Sequence, residues 1–163
     1  HLTLDELAQS FTLSIFSQTA PRFDPVDLNT LNHKLLQMTP YESVANRLKD
    51  IAPSVNETLW NVIRGNLHTL SEATQWEPIC WGNITPIVED RSYVQQALNC
   101  LPQEPWDVTT WASWTGQLKE LTGRKGKELF MPLRQAITGM DHGPEMKDLL
   151  PLIGYLKVLE RLK

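Results

Sequence analysis

The sequence predicts an all-α protein, and three observations carry that prediction. Apolar residues recur at three- and four-residue spacing in segment after segment, and cap-and-proline start signals precede those segments. No Asn-Gly or Asp-Gly pair joins two alternating apolar runs, the arrangement that would announce a β-hairpin. With 163 residues and 41% hydrophobic content the chain can bury a core.

Thr3-Leu-Asp-Glu6 reads as a capping box and predicts a short helix to about Ser10. Asp24-Pro25 supplies an N-cap and a first-position proline, and Leu28, Leu31, Leu35 and Leu36 form one apolar stripe, predicting a helix over 25–38. Thr39-Pro-Tyr-Glu42 repeats the cap, proline and N3-glutamate device and starts a helix through Leu48; Ser54-Val-Asn-Glu57 starts another. Leu59, Trp60, Ile63, Leu67 and Leu70 continue its stripe past Gly65. Ser71 caps a further helix carrying Trp76 and Ile79, with Pro78 as a disturbance. Gly82 to Pro86 reads as a joint, so that residues 1–86 and 87–163 are expected to form two small helical lobes.

In the second half, Asp90 precedes an amphipathic helix with Val94, Ala97, Leu98 and Leu101, stopped by Pro102 and Pro105. A helix over 110–122 carries Trp111, Trp114, Leu118 and Leu121 and ends on Gly123 as a left-handed cap. Lys127 to Thr138 is expected to be helical but disturbed at Pro132, whose ring clashes with the preceding turn. Gly139 ends it, Gly143-Pro144-Glu145 begins a helix with proline at its first position, and Gly154 separates a last helix from Tyr155 to Leu162. No fixed-period repeat is present.

The formal charge of −4 and pI near 5.5 exclude non-specific coating of nucleic acid, which needs a broadly basic face. Cys80 and Cys100 stand twenty positions apart with no CxxC pairing, so they read as packing residues in a reducing cytoplasm and not as a zinc site. No apolar run approaches a membrane span and no signal peptide opens the chain. His1 begins it without a methionine and Thr3 caps a helix at once, which reads as a segment cut from a longer polypeptide.

Catalytic patterns are poor. The histidines at 1, 33, 68 and 142 fall in no metal-binding motif, no serine or cysteine sits in a nucleophile elbow, and no Gly-rich phosphate loop occurs. Asp141-His142 forms an adjacent pair in a glycine-flanked loop, where neighbouring side chains are expected to point apart in a solvated turn. The positive charge, by contrast, is clustered. Arg124, Lys125 and Lys127 precede a helix that carries Arg134, and Glu128 is the only acid between Gly123 and Met140. A solvated face, with Arg134 in an internal ion pair, accounts for this plainly. Phosphates on the lysines and a base edge on the arginine fork account for it too. Six tryptophans could stack bases, although Trp60, Trp76, Trp111 and Trp114 lie on apolar stripes and read as core. In the turn from Thr138 to Met146, glycines 139 and 143 allow close approach of a ligand to backbone amides.

At these residues the chain resembles the carboxy-terminal, anticodon-binding region of bacterial glutamyl-tRNA synthetases of the alphaproteobacterial kind. Ala20-Pro-Arg-Phe-Asp24 with Leu31-Asn-His-Lys34 resembles the stretch beyond the family's catalytic half. Lys125-Gly-Lys, Pro132-Leu-Arg134, Thr138-Gly139 and Gly143-Pro144-Glu145 resemble its terminal signature. The resemblance implies two α-helical lobes that bind the tRNA anticodon loop as a monomeric cytoplasmic ligase; glutamate activation with ATP and Mg2+ belongs to a parent catalytic domain, and this chain is itself non-catalytic. It places Arg134 on an anticodon base and Thr138, Gly143, Pro144 and Met146 around the unstacked bases. Arg124, Lys125 and Lys127 are assigned to phosphate from local charge alone. Relatives that discriminate glutamate from glutamine tRNA present an arginine in the first lobe. Ungapped alignment puts Asn66 there, with Arg64 two positions earlier, implying weak discrimination. The rival reading from another class is a helical protein–protein adaptor with exposed tryptophans.

Overall fold

The computed structural model describes residues 3–15 and 24–163, and among them it contains α-helices, short 3-10 turns and no strand. Ala20 to Phe23 of the resemblance, and His1, lie outside the described residues. No helix among the described residues is long and apolar enough to cross a membrane.

Thr3 closes its capping box and starts α1, Leu4–Ser10; Asp24 caps α2, Pro25–Met38. The next two starts differ from expectation. Thr39 does not cap α3, Tyr41–Ile51, because its hydroxyl donates to Leu35 O at 2.7 Å and closes α2 instead. The cap of α4, Glu57–Ile63, is Asn56, which accepts from Leu59 N, while Ser54 N donates to the Glu77 carboxylate. After Ile63 the chain tightens into 3-10 turns at Arg64–Asn66 and Leu70–Gln75, then forms α5, Trp76–Cys80. Pro78 falls in the first turn of α5, where a missing amide costs nothing.

Arg91–Asn99 forms α6 with Asp90 as its cap, and Thr110–Thr122 forms α7, ended by Gly123 at φ 71°. Pro132 lies inside an uninterrupted α8, Lys127–Thr138. Helix α9 spans Met146–Ile153, so Pro144 stands before its N-cap Glu145 and not at its first position; α10 is Tyr155–Leu162.

One continuous set of buried side chains runs from Leu36 to Leu162 and includes Trp60, Trp76 and Trp114. Helices α6, α8 and α10 pack on one another, α7 contacts α8 and α9, and α9 also packs on α4 and α5. The segment from Gly82 to Pro86 is a strap. Lys157 and Arg161 both donate to Gly82 O, Ile87 N donates to Gln135 O, and a Cβ on Gly139 would stand 3.0 Å from Thr85 O. Arg161, 8% exposed, also donates to Ile137 O and Pro78 O. Its guanidinium is therefore held by carbonyls from three segments, and burial lowers its pKa.

Candidate nucleic-acid interface

The turn between α8 and α9 is built from the end of α8 outward. Thr138 is buried, its hydroxyl donates to Arg134 O at 2.7 Å, and it accepts from Met140 N at 3.1 Å. Gly139, at φ 70°, turns the chain out of the helix, and Gly143, at φ 130°, brings it back. Backbone space is tight at Gly143, where a Cβ would stand 2.5 Å from Trp76 Cη2 and 3.4 Å from Arg134 Nη1. Only glycine fits there, because both the conformation and the volume exclude a side chain. Asp141 and His142 do not point apart: Nδ1 and Oδ1 are bonded at 2.6 Å on an exposed turn, and that bond is the main cause of the lowered Asp141 pKa.

Arg134 rises from α8 against this turn. Its Nη2 donates to Pro144 O at 2.7 Å, whereas its buried Nη1 has no partner among the described residues. Trp76 Nε1 is likewise buried without a partner. Among the described residues no carboxylate bonds Arg134, so the internal ion pair considered above is not formed there. Burial lowers its pKa, and the charge of Glu145 works against that shift.

Two hollows flank the turn. One, of ≈ 270 Å³, is lined by Trp111, Phe130, Arg134, Glu145 and Met146. Phe130 is exposed and its ring centroid lies 6.2 Å from that of Trp111, so aromatic surface stands beside the guanidinium. The other, of ≈ 480 Å³, lies between the 64–68 turn and the 139–146 turn, where Asn66, Gly65, His33, Trp76, His142 and Gly143 meet. His33 is held there by its Nδ1 contact with Leu67 O at 2.7 Å and by stacking on His68.

The structure thus brings Arg134, Gly143, Pro144 and Met146 together and sets Asn66 across from Gly143. Met146 contributes little open surface, being 3% exposed. Arg64 is engaged elsewhere, its Nη1 donating to Thr39 O beside Trp60 Nε1. Arg124 is held by Asp90 and lies 4.2 Å over the Tyr93 ring, which leaves Lys125 and Lys127 as the exposed cations at the start of α8. His68 and Gln75 also line the larger hollow, and the sequence assigned neither them nor Phe130 and His33 a role at this site. The available signal for His33 was that it flanks Leu36, three positions on, along α2.

Residues 85–163 match the family model described as an anticodon binding domain. The similarity to known proteins extends further along the chain than these residues. The chain is 50% identical to glutamate–tRNA ligase 1 of Rhodospirillum rubrum over 99% of its own length and 36% of that protein's. It is 48% identical to glutamate–tRNA ligase 2 of Granulibacter bethesdensis over the same shares. A solved glutamate tRNA ligase from Elizabethkingia meningosepticum has the same fold over 99% of the chain and 36% of its own, with a TM-score of 0.80 at 17% identity. The chain therefore spans about a third of the length of the relatives it matches.

Proposed function

We propose that this chain binds the anticodon loop of a tRNA on behalf of a glutamate–tRNA ligase. The observation that carries the reading is Arg134, whose guanidinium is fixed through Nη2 on Pro144 O and lines the hollow beside Trp111 and Phe130. A donor held in that way suits an acceptor on an unstacked base, at about 1–3 kcal/mol for a well-made base contact. The Trp111 and Phe130 rings offer a stacking surface next to it. Lys125 and Lys127 take phosphates, and local rather than global positive charge explains how an acidic chain meets RNA. The two lobes are joined by the Gly82–Pro86 strap and meet where α9 packs on α4 and α5, and one copy serves one tRNA.

Asn66, facing Gly143 across the larger hollow, is the position at which glutamate and glutamine tRNAs are told apart, and with asparagine there discrimination is weak. Glutamate activation with ATP and Mg2+ is the work of polypeptide outside this chain. No group of three or more His, Cys, Asp or Glu side chains that could hold a metal ion occurs among the described residues.

Titration of the chain with an anticodon stem-loop of a glutamate tRNA tests the reading. We expect binding that weakens steeply with salt. Salt-insensitive binding, or equal binding of a stem-loop with an unrelated loop sequence, would instead favour a protein adaptor or a non-specific surface.

A further inference from the structure

The two walls of the larger hollow come from distant parts of the sequence, and one side chain behind them joins the elements that carry them. Trp76, which starts α5, lines the hollow on one side, and Gly143 of the 139–146 turn lines it on the other. Gly143 packs on Trp76 so closely that a Cβ would stand 2.5 Å from Cη2. That contact needs α5 and the end of α8 to keep one spacing, because a gap of about 0.5–1 Å forfeits roughly a quarter to a half of each contact's attraction.

Arg161 of α10 reaches both elements, and its fork is divided between them. The side chain is 8% exposed. Its Nη1 donates to Ile137 O at 2.7 Å in the last turn of α8, while Nη2 donates to Pro78 O at 3.3 Å in α5 and to Gly82 O at 3.2 Å just beyond it. The last carbonyls of a helix have no partner within it, and a cation beside them is favourable. Among the described residues no carboxylate bonds Arg161, so these carbonyls fix where its guanidinium lies. Lys157, one turn earlier on α10, donates to Gly82 O at 3.1 Å, a bond that reaches the strap and not α8. The planar fork matters, since its nitrogens diverge at a fixed angle and an ammonium in its place is a single point of donation.

We infer that Arg161 is a positioning residue: by holding α5 and the end of α8 at one spacing, it fixes the width of the hollow between the 64–68 and 139–146 turns. It touches no RNA and acts through the contact of Gly143 with Trp76. Both walls are then set before a ligand arrives, so binding does not have to spend energy on closing them. The consequence for RNA rests on the anticodon-loop reading, whereas the spacing itself is measured without RNA.

Spacing is read from spin labels on Lys49→Cys in α3 and Lys119→Cys in α7, in a Cys100→Ser background that leaves the buried Cys80 thiol. The parent should give one narrow distance distribution, and Arg161→Lys a wider one or a second population. The anticodon stem-loop is then added well below the melting temperature of each variant. In the parent it should slow amide exchange at both 64–68 and 139–146. In Arg161→Lys it should still slow exchange at 139–146 but no longer at 64–68, and bind about tenfold more weakly, as a binding-competent fraction of about a tenth gives. A general loss of stability would not separate the two turns in a protein that stays folded. Lys157→Ala should match the parent in both measurements. If Arg161→Lys does not fold, Gly82→Ala replaces it: its Cβ would stand 2.9 Å from Pro78 Cα, which displaces the strap carbonyl from Arg161 and should produce the same changes to a smaller degree. An unchanged distance distribution would overturn the inference, as would a widened one with both turns protected as in the parent. A parent whose two turns gain no protection from the stem-loop would overturn the anticodon-loop reading instead, and the distances would still decide the spacing.

Discussion

Replacing Gly143 by alanine perturbs the site at its tightest point. At φ 130° an L-residue is strained, which costs about 1–3 kcal/mol. The new Cβ would also stand 2.5 Å from Trp76 Cη2, and Trp76, 1% exposed, has no room to withdraw. Overpacking of that kind costs about 1–3 kcal/mol more. If the turn keeps its place, the two costs add to about 2–6 kcal/mol and lower the melting temperature by roughly 5–20 °C for a chain of this size. If the turn lifts instead, it takes Pro144 O away from Arg134, so part of the stability loss is exchanged for a loss of RNA affinity. Thermal unfolding and stem-loop titration together read both outcomes. Gly116→Ala is the control: nothing lies within 4 Å of its Cβ on α7, so it should stabilise by about 0.5–1 kcal/mol. A Gly143→Ala protein that melts and binds like the parent would refute the reasoning.

Arg134→Ala should weaken stem-loop binding by about 1–3 kcal/mol, roughly 5- to 150-fold, and Arg134→Lys should not restore it, because a point charge does not reproduce the fork. Lys125→Ala and Lys127→Ala should each reduce the slope of log affinity against log salt by about 0.7, measured across a salt titration. The Arg124 hydrogen bond, with help from Tyr93 N and Ser92, holds the Asp90 carboxyl down at about 2. Its stabilising contribution is complete above its ordinary value of 3.8 and is lost as pH falls towards 2. Asp90→Asn should accordingly flatten the melting temperature between pH 4 and 2. Burial pushes the Cys80 thiol up to about 12, so a thiol reagent should modify Cys100 first and reach Cys80 only on unfolding.

Helix positions were legible wherever a local signal decides them. Asp24-Pro25 starts α2, Gly123 ends α7 and Gly154 divides α9 from α10, because caps and breakers act through neighbouring backbone. Starts where another partner competes for the cap differ from the expectation: Thr39 serves the helix before it, through Leu35 O four positions back, and Ser54 gives its amide to Glu77 of α5, 23 positions away. The leucine stripe of α2 was legible as a stripe, but its direction depends on what lies on each side. At the site, Arg134 and the Gly143 turn could be singled out because proline, arginine and glycine at that spacing have no ordinary packing explanation. Sequence cannot show which cations stay free. Arg124 is taken up by Asp90, 34 positions away, and Arg64 by Thr39 O, 25 positions away. The approach of Trp76 to Gly143 is equally long-range and has no local trace.

The central claim is that RNA enters between the 64–68 turn and the 139–146 turn and stacks beside Arg134. Amide hydrogen exchange of the chain, with and without the anticodon stem-loop, tests it most directly. The account expects slowed exchange at residues 64–68 and 139–146 and none along the exposed faces of α6 and α10. Slowing on α6 and α10 with the two turns unchanged would contradict it.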